Sequence, residues 1–184
     1  MDMIFITERL KLRPVSIDDK EAVFRYRSDS ETNKYQGWIP ENIKDVEEFI
    51  GKTATEPDQP GTWFQLVIIE KRTDSIIGDI GIHFLNTDNK QVEIGYTLAR
   101  DYHGRGYATE ALISVIDYLF NDLKKHRITA SIDPENTASI KLVEKLGFRK
   151  EAHFIESLYL NEKWVDDAVF AILEKEWKEL RSEF

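Results

Sequence analysis

The sequence predicts an α+β fold, in one domain spanning residues 1–184, and three patterns along the chain support this. Three strand-like runs follow one another between residues 62 and 99, with only short turn-forming segments between them. A long amphipathic helix comes next, and helical and strand-like segments then mix up to the C-terminus. The chain contains no repeats, linkers or low-complexity segments, so a single domain is expected.

The residue pattern of the N-terminal third predicts one strand and two helices. The alternating residues 10–15, which include Pro14, are typical of an edge strand. Ser16 is a suitable N-cap for a helix that follows directly, and residues 43–52 carry apolar side chains at helical spacing. The turn-forming residues 56–61 separate these elements from the central strands.

The central region predicts three strands, over residues 62–70, 75–85 and 91–99, whose short connections indicate an antiparallel meander. The helix that follows has one continuous apolar stripe, which is typical of a helix packed on a sheet. The stripe consists of Ala108, Ala111, Leu112, Val115, Ile116, Leu119, Phe120 and Leu123.

The C-terminal part predicts three more strands and two helices. A strand covers residues 127–132, and a short helix over residues 137–147 ends at Gly147, which suits a left-handed cap. Two strands then run over residues 148–172, and a polar helical tail follows over residues 174–184. The sheet is therefore expected to have about seven strands.

The composition excludes several classes of protein. Hydrophobic residues make up 41% and charged residues 32% of the chain, which is typical of a folded globular protein. No apolar run is long enough to span a membrane, and no signal-peptide pattern is present, so we expect a cytoplasmic protein. The net charge of −9 argues against a nucleic-acid partner. The sequence has no cysteine for thiol catalysis, and its four histidines lack metal-ligand spacing.

The segment 101–112, DYHGRGYATEAL, places Gly104 and Gly106 directly before the long helix. Glycines there allow a ligand to come close, and the N–H groups at a helix N-terminus favour an anion such as phosphate. A dinucleotide-binding fold would need a third glycine where this chain has Thr109, and it would alternate strands with helices. The lysine of a P-loop is missing. Two glycines alone also fit a plain turn.

The motifs around this segment resemble those of the GNAT acyltransferase superfamily. The stretches EIGYTLARDYHGRGYATEAL and NTASIKLVEKLGF carry the resemblance, together with the opening TERLKLRPVSIDD and the closing NEKWVDDAVFAILEKEW. Nearly the whole chain is covered. The most similar branch acetylates the N-terminal amines of ribosomal proteins and includes antibiotic-modifying relatives. The resemblance implies a GNAT fold, with a mixed, mostly antiparallel twisted sheet flanked by helices, and acetyl-CoA as the cofactor.

The resemblance also implies which residues hold coenzyme A. In such folds backbone N–H groups bind the pyrophosphate, here those of His103, Gly104, Arg105, Gly106, Tyr107, Ala108 and Thr109. Backbone groups of the third central strand contact the pantetheine and the thioester, here those of Ile94, Gly95, Tyr96, Thr97 and Leu98. His103 stands where the family usually has Gln or Arg, and a weaker or more pH-dependent affinity is the expected consequence.

Direct attack by an amine in a ternary complex requires a base, a stabilised oxyanion and a departing thiolate. The resemblance assigns the base to Glu93, for which an exposed strand position without a role is the alternative. The family's usual tyrosine acid is replaced by Val143, so Ser139, one turn earlier, is the expected substitute, with Asn136 orienting the cofactor. Helix capping is the alternative role for Asn136 and Ser139.

The acceptor is expected to be a primary amine. An α-amine has a pKa of about 7.7–8.0 and a lysine side chain about 10.4, so a peptide N-terminus or a weakly basic small molecule loses its proton more easily. The candidate acceptor-binding residues are Tyr35, Trp38, Trp63, Tyr159 and Asp166. Packing in the core is the alternative role for the aromatic residues among them.

Two other functions stay open at this point. An aminoglycoside or polyamine acceptor would keep the cofactor and change only the acceptor site. A weakly catalytic sensor that binds acyl-CoA would fit the altered residues His103 and Val143. A homodimer is compatible with the resemblance, and neither a membrane nor a metal is expected as a partner.

Overall fold

The computed structural model describes residues 4–86 and 89–181, and the strands of this part form one eight-stranded sheet in the order β1-β2-β3-β4-β5-β6-β8-β7. The α+β class and the mostly antiparallel sheet are confirmed, since only β5 and β6 pair in parallel. The predicted count of about seven strands omitted β1, whose two residues are too few to show an alternation. The strands are β1 Phe5–Ile6, β2 Leu10–Pro14, β3 Thr62–Glu70, β4 Ser75–Phe84, β5 Gln91–Leu98, β6 Arg127–Ile132, β7 Arg149–Leu160 and β8 Lys163–Leu173.

The described residues also form six α-helices, of which the short α2 was not predicted. Four residues are too few to show a helical period, so nothing in the sequence marked it. None of these helices, within the described part of the chain, has the length and apolar character needed to cross a membrane. The helices are α1 Lys20–Arg27, α2 Ser30–Asn33, α3 Ile43–Lys52, α4 Tyr107–Asn121, α5 Thr137–Lys145 and α6 Glu174–Arg181.

Buried side chains cover the sheet on both faces. They form two hydrophobic clusters. The predicted apolar stripe of α4 packs in the larger cluster, which also contains Val143 of α5 and Trp177 of α6. The smaller hydrophobic cluster lies between the other face of β3 and helices α1 and α3, and it contains Val67 of β3, Val23 of α1 and Val46 of α3. The sheet thus fixes the relative positions of all the helices that surround the site.

A buried charged cluster fixes α1 to the sheet. Asp79 of β4 accepts hydrogen bonds from Nε and Nη2 of Arg27 at 2.8 and 2.5 Å. It also accepts from the Tyr26 hydroxyl at 2.5 Å and from Nε2 of Gln65 at 2.8 Å. Because all four residues are buried, loss of one partner would leave another charged or polar group buried without its hydrogen bond.

The parallel strands β5 and β6 separate after three paired positions, which opens a wedge in the sheet. Their pairing ends at Glu93 and Thr129. Beyond this point β5 continues along β4 as far as Leu98, whereas β6 continues along β8 as far as Ile132. Two predictions lie partly outside the described residues, namely the turn over residues 86–90 and the end of the C-terminal tail.

Candidate active site

A cleft of about 630 Å³ lies in this wedge, between β5 on one side and α5 on the other. The predicted residues Glu93, Ile94, Gly95 and Arg105 do not line it, and Ile94 is buried in the core. The predicted cofactor, catalytic and acceptor residues that do line it are Tyr35, Tyr96, Thr97, Leu98, His103, Gly104, Gly106, Tyr107, Ala108, Thr109, Asn136 and Ser139.

The glycine segment presents a row of free backbone donors at the head of α4. Gly104 and Gly106 have φ angles of +70° and +80°, a left-handed conformation that glycine adopts without strain. Within the described residues, the N–H groups of residues 104–109 donate no hydrogen bond. Six unpaired N–H groups beside a cleft, at the positive end of a helix, form a site for an anion.

The charged side chains of the cleft also favour an anion, although the whole chain carries a net charge of −9. Arg100, Lys141 and Lys145 all line it, and Glu31 is the one carboxylate among its lining residues in the described chain. The local charge is therefore opposite to the overall charge. Such a surface attracts a polyanionic ligand such as a nucleotide with several phosphates.

The backbone N–H of His103, predicted to bind the pyrophosphate, is not free, because it donates a hydrogen bond of 3.1 Å to the carbonyl oxygen of Arg100, and the side chain is engaged as well. Its Nε2 lies 2.7 Å from the carbonyl oxygen of Leu98, at the end of β5. A carbonyl only accepts, so Nε2 carries the hydrogen in this arrangement. The imidazole therefore connects the end of β5 to the start of the glycine segment, a contact that the sequence pattern did not predict.

The β5 side of the cleft carries polar groups that can meet a ligand. The hydroxyl of Thr97 is buried in the cleft lining and has no hydrogen-bond partner in the described part of the chain. The carbonyl oxygen of Tyr96 accepts a hydrogen bond of 3.3 Å from Nε2 of Gln36. An unpartnered buried hydroxyl is costly, so Thr97 is a donor or acceptor available to a bound molecule.

The α5 side holds the two residues proposed from the sequence to act on the cofactor. Asn136 caps α5, because its Oδ1 accepts a hydrogen bond of 3.1 Å from the N–H of Ser139. Val143 is fully buried in the core and contributes no functional group to the cleft. The hydroxyl of Tyr96 donates to the carbonyl oxygen of Ser139 at 3.3 Å, and burial raises the pKa of Tyr96 to about 12. Tyr96 is therefore a protonated donor next to Ser139.

Glu93 lies at the apex of the wedge, on the opposite face of β5 from the core residue Ile94. Burial raises the pKa of Glu93; His83, when protonated, opposes the rise, and Asp167 adds to it. Nδ1 of His83 lies 4.0 Å from Oε2 of Glu93, and the His83 ring stacks on Trp63 with the ring planes 9° apart. A carboxylate with a raised pKa is suited to accept a proton near neutral pH.

The structure places the remaining predicted acceptor residues away from the cleft. Trp38 stacks on Phe49 at a centroid distance of 4.7 Å and packs beside α1 and α3. Tyr159 is exposed near the tip of the β7–β8 hairpin, and Asp166 accepts hydrogen bonds within that hairpin. The neighbouring Asp167, not Asp166, is the carboxylate that raises the pKa of Glu93. It accepts a hydrogen bond of 2.6 Å from the Ser131 hydroxyl.

Comparison with known proteins identifies the family. A model described as an acetyltransferase (GNAT) domain matches residues 9–149. An uncharacterized N-acetyltransferase, p20, of Bacillus licheniformis is 35% identical over 175 residues, which cover 93% of this chain and 96% of the relative. The crystal structure of a GNAT-family acetyltransferase from Bacillus anthracis is 32% identical, has a TM-score of 0.84 and covers 95% of this chain and 100% of its own. This chain therefore belongs to the GNAT acetyltransferase family and is an N-acetyltransferase.

A more distant structure shares the same fold. A spermidine N-acetyltransferase from Vibrio cholerae, solved in complex with CoA and spermine, has a TM-score of 0.80 at 21% identity, with 94% of this chain and 99% of that chain covered. GNAT enzymes bind acetyl-CoA or CoA. The residues of this cleft fit such a group, since five residues with free N–H groups and three cations line it and suit a ligand with several phosphates.

Proposed function

We propose that this N-acetyltransferase uses acetyl-CoA to acetylate the α-amine of a protein or peptide N-terminus. The observation that carries the cofactor part is the row of free N–H groups over residues 104–109, which lies at the head of α4 beside the cleft. When bound, acetyl-CoA supplies an acetyl group activated as a thioester. The similarity of the chain's motifs to the branch acting on ribosomal proteins supports the acceptor part.

The residues of the chain then have distinct tasks. The N–H groups of the glycine segment, together with Lys141 and Lys145, hold the phosphates. Backbone groups of residues 96–98, which line the cleft, hold the pantetheine, and the backbone of residues 94 and 95, which β6 does not pair, stabilises the oxyanion between them and Glu93. Glu93 takes the proton of the attacking amine, because its raised pKa brings it closer to that of an α-amine. Ser139 assists the departing sulfur from the other side of the cleft.

An α-amine fits this machinery better than a lysine side chain. Its pKa of about 7.7–8.0 leaves a substantial neutral fraction near pH 7, whereas a lysine amine at about 10.4 is almost entirely charged. Glu93 therefore has to remove a proton against a smaller difference in pKa. Tyr35, which lines the cleft near α2, is the aromatic residue best placed among the predicted ones to contact such an acceptor.

A polyamine is the second candidate acceptor, and a specific observation favours it. Asp167 lies near enough to Glu93 to raise its pKa, so the acceptor side of the wedge holds two carboxylates. Two carboxylates suit a molecule with two ammonium groups, one of which reacts while the other is held. The likeness of the fold to the spermidine enzyme from Vibrio cholerae is consistent with this candidate.

The test is release of thiol from acetyl-CoA in the presence of a panel of amines. The panel contains peptides that begin with Ala, Ser or Met, their N-terminally blocked forms with one internal lysine, spermidine and an aminoglycoside. We expect turnover with at least one free N-terminus and none with its blocked form. Turnover with spermidine alone would favour the polyamine instead.

A separate binding measurement distinguishes the remaining outcome. If no amine raises thiol release above hydrolysis, calorimetric titration with CoA decides between two explanations. Tight CoA binding without turnover would support the weakly catalytic sensor and contradict acetyl transfer to these amines. Absence of CoA binding would contradict the proposed cofactor site itself.

A further inference from the structure

Arg9, which immediately precedes β2, holds the glycine segment from the side opposite the cleft. Its Nη1 donates a hydrogen bond of 2.9 Å to the carbonyl oxygen of Arg105. Its Nε and its backbone N–H donate to the two carboxylate oxygens of Glu110, at 2.6 and 2.8 Å. Glu110 lies in the first turn of α4, so a single side chain contacts both the loop and the helix that follows it.

The bond to Arg105 determines where the next N–H group points. The carbonyl of Arg105 and the N–H of Gly106 belong to one planar trans peptide, and in such a peptide the two bonds point in opposite directions. Arg9 is not among the residues that line the cleft. Because it draws the carbonyl to its own side, it turns the Gly106 N–H away from itself and towards the cleft.

The guanidinium occupies the space behind the loop. A Cβ atom added at Gly106 would lie 3.4 Å from Nη2 of Arg9, in van der Waals contact with it. The guanidinium also lies 4.4 Å from the ring centre of Tyr107, the first residue of α4. Gly106 is thus required for its φ angle of +80°, and Arg9 packs directly behind it.

Arg9 also neutralises a carboxylate that would otherwise oppose an anion at this helix end. Burial works against ionisation of Glu110, but hydrogen bonds from Thr7 and from Arg9 hold its pKa below the usual value. Glu110 is therefore charged at neutral pH, one turn from the free N–H groups. Pairing with Arg9 at 2.6 Å cancels that charge where phosphates would bind.

We propose that Arg9 is a positioning residue for the pyrophosphate of coenzyme A, acting through the Arg105–Gly106 peptide and through Glu110 without contacting the cofactor. This inference rests on the cofactor site of the proposed function. It assigns to the N-terminal strand a part in cofactor affinity.

The test measures binding of CoA by calorimetry to the wild type, Arg9→Gln and Arg9→Lys. Arg9→Gln removes the charge and the bond to Arg105, and we expect its Kd for CoA to rise about tenfold, the loss of one charge-assisted hydrogen bond. Arg9→Lys keeps the charge but cannot donate to Arg105 and Glu110 from separate nitrogens, so its Kd is expected to lie between those of the wild type and Arg9→Gln. In steady-state kinetics the KM for acetyl-CoA rises while kcat and the KM for the amine stay unchanged.

Arg181→Gln is the matched control. Arg181 also holds α4 through a carboxylate, since its Nη2 donates to Oδ2 of Asp117 at 2.8 Å, but it lies near the opposite end of that helix. The Arg181→Gln variant tests whether removing any arginine contact to α4 weakens CoA binding. Thermal melting of each unliganded variant shows whether it remains folded at the temperature of the titration.

The outcomes separate this inference from the proposed function. Wild-type affinity for CoA in both folded Arg9 variants would overturn the role of Arg9 and leave the cofactor site intact. An equal loss of affinity in Arg181→Gln would overturn it as well, because the effect would then be general to α4. Failure of the wild type to bind CoA would instead overturn the cofactor site, and this inference with it.

Discussion

His83 and Glu93 face each other across the pairing of β4 and β5, and their nearest side-chain atoms, Nδ1 and Oε2, lie 4.0 Å apart. The same register places Trp63 of β3 against His83, so one face of the sheet carries an aromatic–imidazole–carboxylate row. The negative charge of Asp167, on β8, raises the pKa of Glu93. The ionisation of Glu93 is therefore set by groups from the adjacent strand β4 and from β8, which lies beyond β6, as well as by burial.

Glu93→Gln is expected to lower kcat/KM by about 10²–10⁴-fold, the usual contribution of a general base. The amide has nearly the same size, so CoA affinity should stay at the wild-type value. Thiol release under conditions of limiting amine measures the effect, and calorimetry with CoA checks the binding. Glu144→Gln, at an exposed position on α5, is the matched control. Undiminished kcat/KM in Glu93→Gln would show that another group, or water alone, removes the proton.

The acidic limb of the pH profile of kcat/KM is expected to move in opposite directions in two variants. Glu93 accepts a proton only when ionised, so activity is lost as the pH falls through its raised pKa. Asp167→Asn removes a negative charge that raises this pKa, and the limb should move to lower pH. His83→Gln removes the imidazole whose protonated form lowers the pKa of Glu93, and the limb should move to higher pH.

These shifts are measured with one acceptor at several ionic strengths. Added salt should reduce both shifts, since charge–charge terms are screened while the effect of burial stays. Shifts of the same sign in the two variants would mean that the limb reports a group other than Glu93. The unperturbed profile of Glu144→Gln provides the baseline for both.

The half of the site proposed to hold the cofactor could be predicted from the sequence because its signals are local. The glycines of residues 104–106 and the apolar stripe of α4 are adjacent in the chain, and the structure places both as expected. Asn136 and Ser139 follow the same rule, since capping depends on a spacing of three residues. Short-range patterns of this kind need no knowledge of the tertiary fold.

The half proposed to bind the acceptor could not be predicted because it depends on strand register. Alternation along β8 shows that Asp166 and Asp167 lie on opposite faces, but not which of the two faces Glu93. Two irregularities in the β7–β8 pairing further conceal the register. The contact of Arg9 with Arg105 joins residues 96 positions apart, and no periodic pattern reports such a contact.

Asp79→Ala is expected to lower the free energy of unfolding by about 3–5 kcal/mol, the usual loss when one partner of a buried ion pair is removed. The Arg27 guanidinium would be left buried without its partner, and Tyr26 and Gln65 would lose hydrogen bonds. Urea denaturation measures the change. Glu47→Ala, which breaks the half-exposed pair with Lys20, is the control and should cost much less. Equal losses in the two variants would contradict a special contribution of the buried cluster.

Glu151→Gln is expected to destabilise the protein at neutral pH and to have little effect in strong acid. Hydrogen bonds from Arg127 and from Arg149 hold the pKa of Glu151 at about 2, against an ordinary value of 4.5. Because the pKa is lowered by folding, the stabilisation is complete above the ordinary value and is lost as the pH falls from about 4.5 to about 2. Unfolding in urea at a series of pH values measures the difference between variant and wild type. A difference that stays constant through this interval would show that Glu151 contributes by packing and not by its charge.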